Sequence, residues 1–229
     1  MPAEVSRFDA LKAVTRTPQI SLRSAAAARL RERALDLVGA EGLGESRYAL
    51  RIVPLEDEDE GNLTLEGQTV FAPWLVPQSG RLTALGVGLV TLGPALEARV
   101  KALFAEKQAA LALALDQLAN ELLFATGARL EVRLRMLAKR QGLSLAGELH
   151  PGDPGLALEA QHSLMHWMTP DTLDISLHDG HLLNPLKSGS GIYGVGENLP
   201  AVTWSRCDLC ASRTKCSRLD RHQHAGMPA

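Results

Sequence analysis

The run Lys187-Ser188-Gly189-Ser190-Gly191-Ile192-Tyr193-Gly194 constrains the fold more than any other stretch, because Gly or Ser recurs at every second or third position. No packed helix would choose it. Glycine loses the most backbone entropy on ordering, and serine offers the backbone competing hydrogen bonds. The run does let backbone N–H groups approach another molecule closely, since glycine lacks a Cβ and serine adds a small donor. Pro185 fixes the chain on entry, and Lys187 supplies one positive charge. A bland glycine-rich hairpin has the same composition, so composition leaves both readings open. The strand-like Asp174-Ile175-Ser176-Leu177 leads into the region.

Upstream, residues 1–20 are polar and read as an arm or loose lead-in. Ser24 to Val38 places Leu30, Ala34, Leu35 and Val38 at helical spacing, which predicts an amphipathic helix ended by Gly39, Gly42 and Gly44. Arg47 to Leu55 alternates as a strand. The carboxylate run Glu56-Asp57-Glu58-Asp59-Glu60 reads as a solvated loop, because unbroken like charges repel and stay hydrated. Leu63-Thr64-Leu65 and Thr69-Val70-Phe71 flank Glu66-Gly67 as a hairpin. Pro73 and Pro77 bracket an apolar Trp74-Leu75-Val76.

Arg81 to Leu92 is a strong buried strand, broken at Gly93, with Pro94 suited to a first helical position. Its Gly86-x-Gly88 lies inside the strand and cannot form a dinucleotide turn. A helix over Ala95–Phe104 follows, and then one over Gln108–Ala125 that is apolar on nearly every face and reads as buried. Burial leaves Asp116 and Glu121 in need of a partner, or of a ligand groove. Arg129 to Lys139 continues as a basic amphipathic helix that stops near Gly142. After the loop Glu148-Leu149-His150-Pro151-Gly152-Asp153-Pro154-Gly155, a helix is expected over Leu156–Met168. Strands and helices mix without a regular βαβ rhythm, which predicts an α+β fold with a mainly antiparallel twisted sheet packed with helices. The expected division is a domain over 1–200 and a cysteine-containing basic tail over 201–229.

A chain of 229 residues can bury a substantial core, and with 4% aromatics that core must be mostly Leu, Val and Ala. A formal charge of −2 gives no electrostatic reason to expect nucleic acid or a membrane surface. No stretch reads as the ~18 apolar residues of a membrane span, and the N-terminus lacks a signal-peptide pattern, so the expected location is cytoplasmic.

Pro185, Lys187, Ser188, Ser190, Gly191 and Gly194 spell Pro-x-Lys-Ser-x-Ser-Gly-x-x-Gly, with Tyr193 between the last two glycines. This resembles the signature of the activation domain of cobalamin-dependent methionine synthase, and more closely that of free-standing proteins built on that domain. Val90-Thr91-Leu92-Gly93-Pro94 resembles the family's Thr-Leu-Gly turn. Pro151-Gly152, with Leu158 and Gln161 downstream, resembles its Arg-x-x-Pro-Gly-Tyr loop and following Gln. The resemblance extends over most of residues 80–195. It implies S-adenosylmethionine as cofactor, with Glu121, Pro151, Gly152, Lys187, Ser188, Ser190, Gly191 and Tyr193 as candidate binding residues. The implied partner is a corrinoid protein such as cobalamin-dependent methionine synthase, with an electron donor for its reductive remethylation. Two positions depart from the family: Glu148 stands where it has Arg, and Asp153 where it has Tyr. A methionine carboxylate would lose a cationic partner there, for which Lys187 could substitute, while a sulfonium could favour the acids.

The three cysteines, Cys207, Cys210 and Cys216, cluster in a short basic segment. Their number and placement do not suit a disulfide framework. Closely spaced thiolates with basic neighbours suit an iron–sulfur cluster, or zinc completed by His222 or His224; redox-active or inert thiols are the other readings. The alternative to a reactivation module is thus an electron-transfer protein on the same scaffold. A scaffold that has lost its ligand is the third reading.

Overall fold

A computed structural model describes residues 2–16, 24–168 and 173–205, together with 207, 208, 210 and 214. The chain opens with β1 (Glu4–Asp9), α1 (Ala10–Arg16), α2 (Ala25–Ala40) and the long β2 (Glu45–Pro54). Three short strands follow, β3 (Asp57–Asp59), β4 (Asn62–Leu65) and β5 (Gln68–Phe71), then a 3-10 turn at Pro73–Leu75. Next come β6 (Arg81–Thr91), α3 (Ala95–Ala105), α4 (Ala109–Arg140), β7 (Ser144–Leu149) and α5 (Ala160–Met168). A small hairpin, β8 (Ser176–His178) and β9 (Leu182–Asn184), leads into β10 (Ser188–Glu197).

The main sheet has five strands in the order β1-β2-β6-β10-β7, and every neighbouring pair is antiparallel. The α+β expectation holds. On one face Val53, Leu85, Val87, Leu89 and Ile192 pack with α5, whose Trp167 is buried and donates from Nε1 to the Leu65 carbonyl at 3.0 Å. On the other face Tyr48, Leu50, Val90, Tyr193 and Val195 meet Leu130 and Leu134 of α4. The N-terminal half of α4 builds a third cluster with α1, α2 and α3 around Val14, Val38, Leu103, Leu115 and Leu122.

Glycines set how closely α4 approaches. A Cβ at Gly86 would overlap the Leu134 side chain, and one at Gly88 would lie 2.7 Å from both terminal carbons of Leu130. The Gly86-x-Gly88 pair therefore seats a helix on a strand, consistent with its reading as no dinucleotide turn.

Several elements differ from expectation. Residues 4–16 are β1 and α1 rather than a loose arm. The period-2 pattern of β1 is masked by the polar residues that an edge strand tolerates on both sides. Glu4 is anchored by Arg133 of α4, at 2.6 Å from Nε and 2.9 Å from Nη2. That hydrogen bond holds the Glu4 carboxyl below the usual carboxylate range. A depressed carboxyl stabilises the fold above its unfolded-state pKa and loses that contribution as pH falls through the folded value. Glu4→Gln should therefore lower stability at neutral pH and flatten the acid limb of a stability–pH profile measured by urea denaturation, the variant and the parent converging as pH falls through the folded value.

The apolar stretch 108–125 and its basic continuation 129–139 form one helix, α4, which also runs through residues 126–128 between them. Thr126 does not break it, because its hydroxyl donates to the Leu122 carbonyl at 2.8 Å, and the space beside Gly127 is open. Nor is the helix buried all round: Leu113 is 63% exposed, and Phe124, Val132 and Met136 also face outward. By length and composition α4 is apolar enough to cross a membrane, contrary to the sequence reading, but half of its most apolar window is buried within this fold. The helix expected from Leu156 begins only at Ala160, after turns closed by Ala160 N–H to Ala157 and Gln161 N–H to Leu158. The carboxylate run is exposed as expected, although its centre pairs as β3 with β4. The expected hairpin is β4–β5, paired from Asn62↔Phe71 to Leu65↔Gln68.

Candidate functional site

The Gly/Ser run expected as a ligand loop is a central strand, β10. Its glycines serve close packing between strands and side chains. A Cβ at Gly194 would lie 2.8 Å from the Ala146 carbonyl oxygen, and one at Gly191 3.3 Å from His150 Nε2. The ladder is nevertheless uneven. On the β6 side, pairing runs from Ser188↔Thr91 to Glu197↔Arg81. On the β7 side it spans only Ile192↔Leu149 to Gly196↔Ser144. Among the described residues, Ser188–Gly191 thus extends past the end of β7 with a ladder on one side only, and such an edge presents backbone donors and acceptors that no second strand takes up.

The chain leaves β7 beside this edge through a tight turn. Asp153 Oδ2 accepts from the His150 N–H at 2.8 Å, and the Asp153 N–H returns to the His150 carbonyl at 2.9 Å. Gly152, at φ +91°, donates to the Leu156 carbonyl and closes the turn behind Pro151. The turn delivers α5, and its Gln161 reaches back to the sheet: Ser190 Oγ donates to Gln161 Oε1 at 2.9 Å. Gln161 is only 4% exposed, and its Nε2 has no hydrogen-bond partner among the described residues. A buried unpartnered amide donor is costly, and native folds keep few of them.

On the opposite face, one carboxylate oxygen collects two partners. Tyr193 donates its hydroxyl to Glu148 Oε1 at 3.0 Å, and His150 Nε2 lies 2.9 Å from the same oxygen. The local register explains the meeting. Between Leu149 and Ala146, β7 carries one residue more than β10 does between Ile192 and Gly194, and Gly147 there has φ +72°. Such a bulge re-aims a side chain, here Glu148 toward Tyr193. Tyr193 is buried, whereas His150 and Glu148 keep 31% and 35% side-chain exposure and so face solvent at the rim.

Of the residues singled out in the sequence, Pro151, Gly152, Ser190, Gly191 and Tyr193 come together at this edge. Ser188 turns to the β6 side, donating to Thr91 Oγ1 at 2.9 Å; that oxygen also accepts from the Gly93 N–H at 3.0 Å. Lys187 is not a free charge. Its ammonium lies 2.8 Å from Asp116 Oδ1 and 2.9 Å from Asn120 Oδ1 on α4, which also accounts for Asp116. Glu121 belongs to the α2–α4 contact, where Arg31 donates from Nε and Nη2 to its two oxygens at 2.9 Å each. Both side chains line a cavity of about 270 Å³ with Ala27, Leu30 and Leu113. His150 was not singled out; it lies just past the end of β7, two residues after Glu148, in a stretch that reads as a loop in the sequence.

In the cysteine segment, Cys207 N–H donates to Ser205 Oγ at 3.2 Å and Cys210 N–H to the Cys207 carbonyl at 3.3 Å; both thiols are free. Cys216, His222 and His224 lie outside the described residues. Among the described residues, no three His, Cys, Asp or Glu side chains group as metal ligands.

These elements define a class: an α+β domain whose antiparallel sheet carries one long helix across a face and leaves half of a central strand open beside a Pro-Gly turn. No protein-family model matches the chain, and no curated protein matches it. Among solved structures the chain is similar to the MetH reactivation domain bound to AdoHcy, with a TM-score of 0.64 and 13% identity, over 99% of this chain and 86% of that one. That likeness is one of fold, and it spans the sheet, α4 and the turn together.

Proposed function

We propose that the protein binds S-adenosylmethionine along the open half of β10 and acts as a reactivation module for a corrinoid protein such as cobalamin-dependent methionine synthase. The observation that carries the reading is the buried Gln161 Nε2 beside Ser190, which has no partner among the described residues, at the stretch of β10 that extends past the end of β7. The fold supports it, because the similar MetH domain was solved with AdoHcy. In this reading the backbone of Ser188–Gly191 and the Gln161 amide hold the ligand's polar groups. Glu148, positioned by Tyr193 and His150, lines the rim. Transfer of the methyl group takes place on the partner, with the electron drawn from an external donor, so the protein contributes orientation and proximity.

Calorimetric titration of anaerobically purified protein tests this. Micromolar S-adenosylmethionine binding is expected in the parent, and Gln161→Leu should weaken it at least ~10-fold, since a lost hydrogen bond to a buried donor is worth about 1–3 kcal/mol. Absence of binding at millimolar ligand would overturn the reading.

A further inference from the structure

The tip of the β8–β9 hairpin reads His178-Asp179-Gly180-His181. Pairing of the two strands reaches His178↔Leu182, so Asp179, Gly180 and His181 form the turn. Asp179 (φ +46°) and Gly180 (φ +88°) bend it sharply through left-handed backbone. The turn brings the ring of His181 against that of His162 on α5, with ring centres 5.2 Å apart and planes at 80°. His162 is exposed and His181 half-buried, yet His181 Nδ1 is shielded and has no hydrogen-bond partner among the described residues. Only one other shielded side-chain nitrogen or oxygen among them is left so, Gln161 Nε2, on the residue before His162. A shielded polar atom without a partner is costly, and a bound ion is one of the few things that accounts for it.

We propose that His162 and His181 form a zinc site, separate from the cysteine segment. Neutral imidazole is a favoured ligand of zinc, with the ring nitrogen about 2.0–2.1 Å from the ion. Adding the half-width of the ring places each ring centre about 3.2 Å from the ion. Two such rings at the tetrahedral angle have centres about 5.2 Å apart; at the right angle of a square-planar or octahedral site the separation is about 4.5 Å. The observed 5.2 Å matches the tetrahedral case. This match does not depend on which way either ring is turned about its long axis, an assignment that rests on hydrogen bonding alone. One ligand stands on a helix and the other on a tight hairpin, so the pair is held in place before an ion arrives. Among the described residues no third His, Cys, Asp or Glu joins them, which leaves two tetrahedral positions to water. An ion held here ties the hairpin to α5 at the residue next to Gln161.

Calorimetric titration of the full chain with Zn²⁺ tests the site, in a background of Cys207→Ser, Cys210→Ser and Cys216→Ser that removes competing thiolates. One saturable site is expected, with no response to Mg²⁺, which prefers oxygen ligands. His162→Ala and His181→Ala should each weaken zinc binding by at least ~10-fold, since loss of an outer-shell partner alone costs that much. His166→Ala, one turn further along α5, and His178→Ala, at the other end of the turn, should leave it unchanged. His162 is exposed, so its variant decides the matter if His181→Ala does not fold; His181→Gln, which keeps bulk and polarity, is the second check. Zinc binding that survives His162→Ala, or that falls equally with His166→Ala and His178→Ala, overturns the proposal, as does absence of binding. None of these outcomes bears on S-adenosylmethionine titrations, so the two readings stand or fall separately.

Discussion

Arg31→Ala should lower the unfolding free energy by about 3–5 kcal/mol, the range for removing one partner of a buried ion pair. Glu121 is 1% exposed and Arg31 11%, and the two are joined through both carboxylate oxygens. Alanine takes the Arg31 charge away from a carboxylate buried inside the α1–α2–α4 cluster. It also removes the Arg31 contact to the Val14 carbonyl at 3.4 Å, which ties α1 to α2. The loss is thus a charge penalty together with a packing one. The double variant Arg31→Met with Glu121→Leu separates them. Replacing both members by apolar groups of similar volume is often neutral or stabilising by about 1–4 kcal/mol. Urea midpoints at constant m-value give both numbers. A cost below ~1 kcal/mol for Arg31→Ala would mean that the pair is hydrated rather than buried.

Gly86→Val should cost about 3 kcal/mol or more, at the upper end for overpacking a filled core. The Cβ alone would overlap Leu134, which is fully buried, and the two methyl groups of valine would push α4 off β6. Adding Leu134→Ala should recover part of the loss by making room, so the pair should be non-additive, as residues sharing one contact are. Additive costs in that double variant would show that the strand, not the helix contact, resents the side chain.

The parts of this fold legible in the sequence are those where one physical signal acts alone. β6 announces itself through Leu85, Val87, Leu89 and Val90, and the β4–β5 hairpin through Glu66-Gly67 between two alternating runs. β10 does not, because glycine in a strand interior usually weakens it. Here glycines are required by neighbours whose identity only the fold reveals: His150 against Gly191 and Ala146 against Gly194. β7 carries just Leu145 and Leu149 as buried residues and reads as the edge of a loop. At the site, Pro151, Gly152, Ser190 and Tyr193 were legible as motif residues. The roles of Lys187 and Glu121 were not, since their partners are 67 and 90 residues away in the chain. Nothing in the sequence near Lys187 announces that Asp116 and Asn120, one helical turn apart on α4, receive it.

That clasp has a kinetic meaning. Lys187 immediately precedes β10 and is gripped by α4, while β6 pairs with Ser188–Gly191 in continuous register. The open half of β10 is therefore already set at a fixed height and angle before anything arrives. A flexible glycine loop would have had to close over its ligand, making capture wait on a conformational search. Under the proposed function, such a pinned strand leaves encounter and orientation to govern the rate of capture, with little ordering entropy lost on arrival.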